Sequence, residues 1–222
     1  MKPTQIASLQ RAALFTNIAP DEYQKLIGCL APHTKIYNKN EIILHTGAAV
    51  THIGIILSGG AYAYLEHKDG SQVLISHLFP LNTIGEVLVS TQIHKSPVTI
   101  YAMTEEVTVV YIKYNRLFST CAAACKAHGM FLQNMLKHIG DKYFQLFDRI
   151  NLLREKSLRA RILAYLCTLK ENENATVVTL PFTKTMLANY LLVNRSALSR
   201  ELRKMEQDGL IVVSGRSIRV KN

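Results

Sequence analysis

The 222-residue sequence lacks the features that mark several large classes of protein. No apolar run approaches the ~18 residues that a membrane-spanning helix needs. The start of the chain, MKPTQIASLQRAALF, has no apolar core of the kind found in signal peptides. We therefore expect a cytoplasmic protein without a membrane partner.

Cysteine and histidine occur without the spacings of a metal site. The four cysteines, Cys29, Cys121, Cys125 and Cys167, include no C-x-x-C pair, and none of the eight histidines forms H-x-H or H-E-x-x-H. Because thiols stay reduced in the cytoplasm, we expect free, mostly buried cysteines and no metal site. Whether Cys121 and Cys125 are redox-active is left open by their spacing.

Acidic residues are scarce in the last third of the chain, and that part is strongly basic. Residues 154–222 contain 13 Lys and Arg against 6 Asp and Glu, or +7, whereas residues 1–153 contain 13 against 10, or +3. A basic domain attracts polyanions because each neutralised phosphate releases condensed counterions. Charge alone is compatible with a nucleic-acid partner and with a basic surface of no specific role.

Short β-branched and aromatic runs dominate the chain from about Lys35 to Ile112. Turn signals separate EIIL, HIGIIL, AYAYLEH, QVLISHLF, VTIYAM and VTVVYIKY, and Asp69-Gly70 predicts a hairpin. Evenly spaced strands of this kind predict an antiparallel β-roll or jelly roll. A cupin-type barrel enzyme is an alternative, although the clustered His and Glu ligands of such chemistry are missing.

A heptad repeat follows the β-rich region. Its apolar residues alternate at spacings of 4 and 3 over three heptads and comprise Leu132, Leu136, Ile139, Tyr143, Leu146, Ile150 and Leu153. A regular seam of this kind is typical of two helices that pack against each other. It predicts a long dimerisation helix and a homodimer.

The final segment has the order helix, short strand, helix, turn, helix and hairpin. Ser157, Thr183 and Asn194 suit the N-cap positions of the three helices, and Gly209 suits the end of the last one. A hairpin around Ser214-Gly215 completes the pattern of a winged helix–turn–helix.

One face of the last helix is rich in arginine. At about 100° per residue, Leu198, Leu202 and Met205 cluster on one side, and arginines and serines occupy the other. Arginine pairs bidentately with guanine in the major groove, so this face predicts DNA recognition. The residues expected to contact DNA are Arg195, Ser196, Ser199, Arg200, Arg203, Lys204 and Arg216, with Arg203, Lys204 and Arg216 assigned to phosphates.

The sequence resembles the superfamily of the cyclic-AMP receptor protein and the fumarate-nitrate reduction regulator (CRP/FNR) over nearly its whole length. The resemblance is carried by NKNEIILHTG, ILSGGAYAYLEHKDGSQVLISHLFPLNTIGE and LANYLLVNRSALSRELRKMEQDGLI. It implies an α+β chain with an N-terminal antiparallel β-roll like a cyclic-nucleotide-binding domain, a long dimerisation helix and a C-terminal winged helix–turn–helix. The expected domains are an effector-sensing β-roll with an N-terminal helix at 1–125, the dimerisation helix at 126–154 and the DNA-binding domain at 155–222.

The resemblance also implies a function. Such proteins are not enzymes but homodimeric, effector-responsive transcription regulators that bind a palindromic operator in double-stranded DNA and contact RNA polymerase. Two positions depart from the best-known members, which have glutamate where this chain has Ser196 and often glycine where it has Leu192. The iron–sulfur branch has an N-terminal cysteine cluster, and since only Cys29 lies near that end, an iron–sulfur cluster is not expected.

The nucleotide cradle of the family is only half present. In cyclic-nucleotide-binding relatives Gly-Glu holds the ribose, and an Arg-Ser or Arg-Thr pair about eleven residues later holds the phosphate. Here Gly85-Glu86 is followed by Ser96-Pro97, or by Lys95-Ser96 after a slip of one residue. The planar fork of arginine, which suits a phosphate, is missing in either case.

The position that would contact adenine is also altered. An ungapped count back from Arg161-Ile162 places Leu146-Phe147 there, and these side chains cannot hydrogen-bond a purine. We expect a small-molecule effector other than cyclic AMP; an orthodox cyclic-nucleotide-dependent regulator is the alternative. Haem with a diatomic gas, a small aromatic acid and no ligand at all remain open. The expected effector pocket comprises Gly85, Glu86, Val87, Lys95, Ser96, Tyr143, Leu146 and Phe147, the last three of which fit interface packing equally well.

Overall fold

The computed structural model describes residues 1–67, 69–92, 94–118, 126–173, 177–180, 183–215 and 217–221. The chain divides into two compact units, Met1–Lys142 and Tyr143–Asn222, and the boundary between them falls within one long helix. The expected domain limits after residues 125 and 154 stay a prediction.

In its described residues, the first unit has eight strands in two antiparallel sheets. Its elements are α1 (Pro3–Leu9), a 3-10 turn (Ala13–Phe15), α2 (Pro20–Leu30), β1 (His33–Asn38), β2 (Ile42–Leu44), β3 (His52–Ser58), β4 (Ala61–Glu66), β5 (Gln72–Leu78), β6 (Thr83–Ile84), α3 (Glu86–Val89), β7 (Thr99–Ala102), β8 (Glu106–Lys113), α4 (Asn115–Phe118) and the first part of α5 (Lys126–Arg154). The sheet orders are β1-β8-β3-β6 and β2-β7-β4-β5. Strands β4 and β5 form the predicted hairpin, in which Gly70 has φ 81°. The predicted antiparallel β-roll is confirmed.

Two clusters of apolar side chains hold the roll together. One fills the space between the sheets and includes Tyr37, Ile56 and Val109. The other lies on the opposite face of β3 and β8, because successive side chains of a strand point to opposite faces. There Phe15 packs against Tyr23 and Phe131, with ring centroids 5.3 and 5.1 Å apart. The start of α5 is thereby fixed to the roll.

Strand β6 and helix α3 were not foreseen from the sequence, and a glycine joins them. Gly85 is the N-cap of α3 and has a left-handed φ of 81°. A Cβ atom at this position would lie 2.7 Å from Cγ1 of Val50. Both the backbone conformation and the close approach therefore require glycine.

The second unit is a winged helix–turn–helix, as predicted. Its elements are the end of α5, α6 (Leu158–Glu173), β9 (Val177–Thr179), α7 (Lys184–Tyr190), α8 (Arg195–Gln207), β10 (Ile211–Ser214) and β11 (Ser217–Val220), with the antiparallel sheet order β10-β11-β9. Ser157 and Thr183 cap α6 and α7 by accepting hydrogen bonds from Ala160 and Met186 at 3.1 and 3.3 Å. Asn194 is the N-cap of α8, without a side-chain hydrogen bond.

One expectation about cysteine is wrong. Cys29 is partly buried but Cys167 is exposed, because it follows Leu166 on α6 and so turns away from the buried stripe that Ile162 and Leu166 form. Cys121 and Cys125 lie outside the described residues. None of the described helices combines the length and the apolarity that crossing a membrane requires.

Candidate functional site

Helix α8 separates an apolar face from a basic one. Leu198, Leu202 and Met205 are buried in the core of the second unit. The expected DNA-contacting side chains are on the other side: Ser199 is half-buried, and Arg195, Ser196, Arg200, Arg203 and Lys204 are exposed. Arg216 lies outside the described residues.

The acidic groups around α8 are engaged by neighbouring groups. Arg159 of α6 forms ion pairs with Glu201 at 2.7 Å and with Asp208 at 2.6 Å. The carboxylate of Glu206 accepts a hydrogen bond from the backbone N–H of Val213 at 2.9 Å. In the described part of the chain, no ion pair involves Arg195, Arg200 or Arg203. Their positive charge is therefore available to an external anion.

A groove lies between this face and the wing. It has a volume of about 300 Å³ and is lined by Lys184, Ser199, Leu202, Arg203, Glu206, Val213 and Gly215. Lys184 was missed in the sequence, although its position directly after the N-cap Thr183 was a signal that it lies at the exposed start of α7. It adds a second cation beside Arg203.

Two arginines fix the turn between α7 and α8 from outside. Arg149 of α5 donates to the carbonyls of Tyr190 and Asn189 at 3.2 and 3.5 Å, and its guanidinium lies 4.9 Å from the ring centroid of Tyr190. Arg161 of α6 donates to the carbonyl of Leu191 at 3.4 Å. These cations satisfy carbonyls at the C-terminus of α7, where cations are favoured. No sequence pattern indicated this role.

The turn itself contains a strained residue. Leu192 has φ 53° and is 58% exposed. A left-handed backbone disfavours residues other than glycine, Asn and Asp. Glycine would adopt the left-handed backbone at position 192 without this strain.

In the first unit, Glu86 is buried and its charge is compensated internally. Its side chain is 3% exposed and forms an ion pair with Lys142 of α5. Lys142 also donates to the Thr83 hydroxyl at 2.9 Å, and that oxygen lies 2.9 Å from Nε2 of His138. We call Thr83, Glu86, His138 and Lys142 the cradle cluster. The sequence signal for it was the i, i+4 pair of polar residues on α5, away from the heptad seam.

The pKa values of Glu86 and His138 in the cradle cluster are shifted by their surroundings. Burial raises the pKa of Glu86, but the charge and hydrogen bond of Lys142 outweigh it, and the pKa ends below its ordinary value. Burial and the charge of Lys142 lower the pKa of His138. At neutral pH the cluster therefore holds an ionised carboxylate beside a neutral imidazole.

The other expected effector residues differ in exposure. Ser96 is buried, and its hydroxyl donates to the carbonyl of Val98 at 2.7 Å, while Lys95 is exposed. Val87 is 42% exposed. The structure thus pairs Glu86 with Lys142, and the effector pocket expected from the sequence stays a prediction.

Helix α5 has an exposed apolar stripe along the predicted seam. Leu136, Tyr143, Leu146 and Ile150 are 73, 62, 57 and 51% exposed. Phe144 and Phe147 add to the exposed apolar surface, while Leu132 and Ile139 are partly buried against the core of the first unit. Leu153 is half-buried.

Two domain families match the chain in the order that the fold suggests. Residues 34–124 match the cyclic nucleotide-binding domain family, and residues 160–222 match the Crp-like helix-turn-helix domain family. Together they cover more than half of the chain. It is a transcription regulator of the CRP/FNR family. The family binds DNA, and its members act as dimers.

Individual relatives are distant. The chain is 22% identical to the transcriptional activator protein FnrA of Stutzerimonas stutzeri over 187 residues, which is 82% of this chain and 74% of FnrA. It is 28% identical to the potassium channel KOR2 of Oryza sativa subsp. japonica over 129 residues, but those cover 58% of this chain and only 17% of the channel. The solved structure of a CooA mutant from Carboxydothermus hydrogenoformans has the same fold, with a TM-score of 0.65 and 21% identity over 88% of this chain and 86% of CooA.

Proposed function

We propose that this CRP/FNR-family chain forms a homodimer that binds a palindromic operator in double-stranded DNA through α8 and responds to an effector other than cyclic AMP. The observation that carries the proposal is the basic face of α8, whose arginines are exposed while the nearby carboxylates are engaged. Surface groups of this kind are attracted to a polyanion. In this role the chain is a regulator and not an enzyme.

The proposal assigns a different role to each end of the basic face. Arg195, Ser199 and Arg200 lie on the first half of α8, the half that enters the major groove in helix–turn–helix proteins, so they contact bases. Arg203 and Lys204 contact phosphates together with Lys184, which lines the same groove as Arg203. Arg216 is assigned to phosphate from the sequence alone. Ser196 in place of glutamate implies a half-site that differs from that of the best-known members.

The exposed stripe of α5 supports the homodimer. Apolar side chains such as Leu136, Tyr143 and Leu146 are more than half exposed in one chain. Heptad spacing is what a second copy of the same helix recognises. A two-fold dimer would present its two copies of α8 to half-sites about 34 Å apart, one turn of DNA.

The cradle cluster supports an effector other than cyclic AMP. Lys142 already neutralises Glu86, and the hydroxyl of Ser96 is bonded to Val98. Lys95, the nearest cation in sequence, is exposed and is not an arginine. A cyclic phosphate would therefore find no arginine fork where the family provides one.

Cyclic-nucleotide dependence is retained as a second candidate because one observation favours it. Residues 34–124 match the cyclic nucleotide-binding domain family, and Gly85 keeps its left-handed conformation ahead of Glu86. Micromolar cyclic-AMP binding by calorimetry would favour this candidate over the proposal.

The proposed partners follow from the DNA-binding role. FnrA is a transcriptional activator, and an activator of this family would contact RNA polymerase. A chain that binds bacterial-type operators in this way would work in the cytoplasm.

The central experiment is selection of DNA fragments by the full-length chain, followed by sequencing and sedimentation of the complex. The proposal expects an enriched inverted repeat with half-sites about one helical turn apart, bound by two chains. Enrichment of no sequence, or of a site bound by one chain, would contradict it.

A further inference from the structure

A cavity in the first unit is lined by residues other than those of the cradle cluster. Its volume is about 270 Å³, and it is lined by His33, Lys35, Tyr37, Ile43, Leu44, Ala49, Val50, Thr51, His52, Ile84 and Tyr111. We call it the β1 cavity because His33, Lys35 and Tyr37 project from one face of β1. It includes none of the residues expected to form the effector pocket.

The β1 cavity combines buried apolar residues with a lysine. Val50 and Ile84 are buried, whereas His33 and Lys35 are exposed. No aspartate or glutamate is among the described residues that line it. A ligand with an apolar body and a negative end fits this distribution of charge.

Three rings form the walls beside the opening. The ring of His33 stacks on Tyr111 at a centroid distance of 5.6 Å, and His52 lies edge-on to them at 5.5 Å from His33 and 6.3 Å from Tyr111. Aromatic rings prefer offset-stacked and edge-to-face neighbours at such distances. The walls therefore suit a planar ring.

A buried hydrogen-bond donor lies within the cavity. The hydroxyls of Tyr37 and Tyr111 are 2.7 Å apart, and Tyr37 is 4% exposed. One phenol proton serves this bond, and the described residues supply no acceptor for the other. Burial raises the pKa of Tyr111, so its phenol stays protonated at neutral pH. A buried donor without an acceptor is unfavourable and is satisfied by water or by a ligand oxygen.

Size limits the ligand to one ring. A cavity of about 150 Å³ accommodates benzene, and small-molecule sites usually have about 300–1,000 Å³. At about 270 Å³ the β1 cavity has room for a ring with one short substituent.

We propose that the β1 cavity binds a single-ring aromatic carboxylate, with the ring against the cluster that His33, His52 and Tyr111 form and the carboxylate near Lys35 and the Tyr37–Tyr111 hydroxyl pair. Such a ligand would be the effector of the regulator described above. That role rests on the proposed function, whereas binding itself does not depend on it.

Calorimetric titration of the full-length chain with benzoate tests the inference. We expect saturable binding of one benzoate per chain with a dissociation constant below about 1 mM, and about fivefold or more weaker binding of the neutral analogue benzyl alcohol. No saturable heat up to about 10 mM benzoate, or equal affinity for benzyl alcohol, overturns the inference.

Three variants locate the site. Ala49→Trp should abolish binding, since Ala49 is an exposed lining residue whose enlargement fills the cavity without entering the core. Tyr37→Phe keeps the ring and removes one hydroxyl, and should weaken binding about tenfold. Lys39→Met is the control. Lys39 follows β1, forms an ion pair with Glu105 and is not among the residues that line the cavity. Its replacement should therefore leave the affinity for benzoate unchanged. Undiminished binding by Ala49→Trp overturns the location.

Different results would contradict the DNA-binding proposal and the ligand proposal. Absence of benzoate binding with intact operator selection removes the ligand inference and leaves the DNA-binding role. Benzoate binding that leaves operator affinity unchanged overturns the effector role and keeps the binding site. The second readout is operator affinity measured with and without saturating benzoate.

Discussion

The basic face of α8 and the cradle cluster use charged side chains in opposite ways. On α8, Arg195, Arg200 and Arg203 extend into solvent, and the carboxylates that could neutralise them are engaged elsewhere. In the cradle cluster, Lys142 and Glu86 neutralise each other. The first arrangement leaves its charge available to an external anion, and the second is neutralised within the chain.

The difference indicates where partners bind. Exposed charge on α8 is available to a polyanion, and exposed apolar surface on α5 is available to another protein surface. A buried ion pair contributes little net stability but is costly to break, so an effector that replaced Lys142 would have to supply a cation of its own. An anionic nucleotide cannot do so.

The largest expected effect is on the basic face. The double variant Arg195→Ala and Arg200→Ala should weaken binding to the selected operator roughly 1,000-fold, because each bidentate base contact contributes about 1–3 kcal/mol of discrimination. Fluorescence anisotropy with the selected operator and a scrambled duplex measures the effect. Arg11→Ala, an exposed arginine of the first unit, is the control and should leave affinity unchanged. Equal selectivity in the double variant would show that the basic face of α8 does not recognise the operator sequence.

The next effect concerns the exposed stripe of α5. Leu146→Asp should weaken the dimer roughly 100-fold, since two copies of an unpaired carboxylate would be buried at the interface. Sedimentation over a range of concentrations measures the shift toward monomer. Gln145→Asp introduces the same charge one residue away on an exposed position off the stripe and should have no such effect. A dimer that tolerates Leu146→Asp would show that another surface joins the chains.

Breaking the ion pair between Glu86 and Lys142 should have a smaller effect than the two changes above, because Lys142 is partly exposed. Lys142→Met leaves Glu86 buried without its cation and should lower the free energy of unfolding by about 2 kcal/mol at pH 7, with solvent screening of Lys142 included. The double variant Lys142→Met with Glu86→Gln should recover most of this loss. Urea unfolding of the three proteins measures these differences.

The same variant should reverse the pH dependence that Glu86 contributes. In the native chain the pKa of Glu86 is depressed, so its stabilisation is present above the unfolded value of 4.5 and is lost as the pH falls through the lower folded value. Without Lys142, burial raises the folded pKa, and stability should instead increase as the pH falls from 7 toward 5. An unchanged slope would mean that solvent, not Lys142, stabilises the carboxylate.

The smallest effect is expected at the turn between the helices of the second unit. Leu192→Gly relieves a left-handed backbone and should raise the free energy of unfolding by roughly 1 kcal/mol. Val193→Gly is the contrasting control and should lower it, because Val193 packs partly against the core. Thermal unfolding of the two variants measures the gain and the loss in the free energy of unfolding. A loss of stability in Leu192→Gly would show that the side chain contributes more than its conformation costs.

Local patterns predicted the elements that depend on local spacing. The hairpin at Asp69-Gly70, the caps at Ser157 and Thr183 and the buried face of α8 all follow from neighbours within one turn. Strand β6 and helix α3 were missed because they are short and Gly85 divides them.

Long-range pairs could not be predicted in the same way. Glu86 and Lys142 are 56 residues apart, and their contact depends on how α5 packs on the roll. The β1 cavity likewise combines side chains from β1, β3 and β8 that share a face only once the strand register is known. The sequence therefore indicated a cradle with an altered phosphate half, and only the fold showed that Lys142 contacts Glu86.

Arg149 couples the turn before α8 to the rotation of α5 about its own axis. Its guanidinium binds two carbonyls at the end of α7 and covers the ring of Tyr190, while its backbone belongs to α5. A small axial rotation of this part of α5 would move the guanidinium sideways, so either three contacts are lost together or the turn is displaced with it. The orientation of α8 is thus set partly by the axial rotation of α5, a helix that does not itself contact DNA.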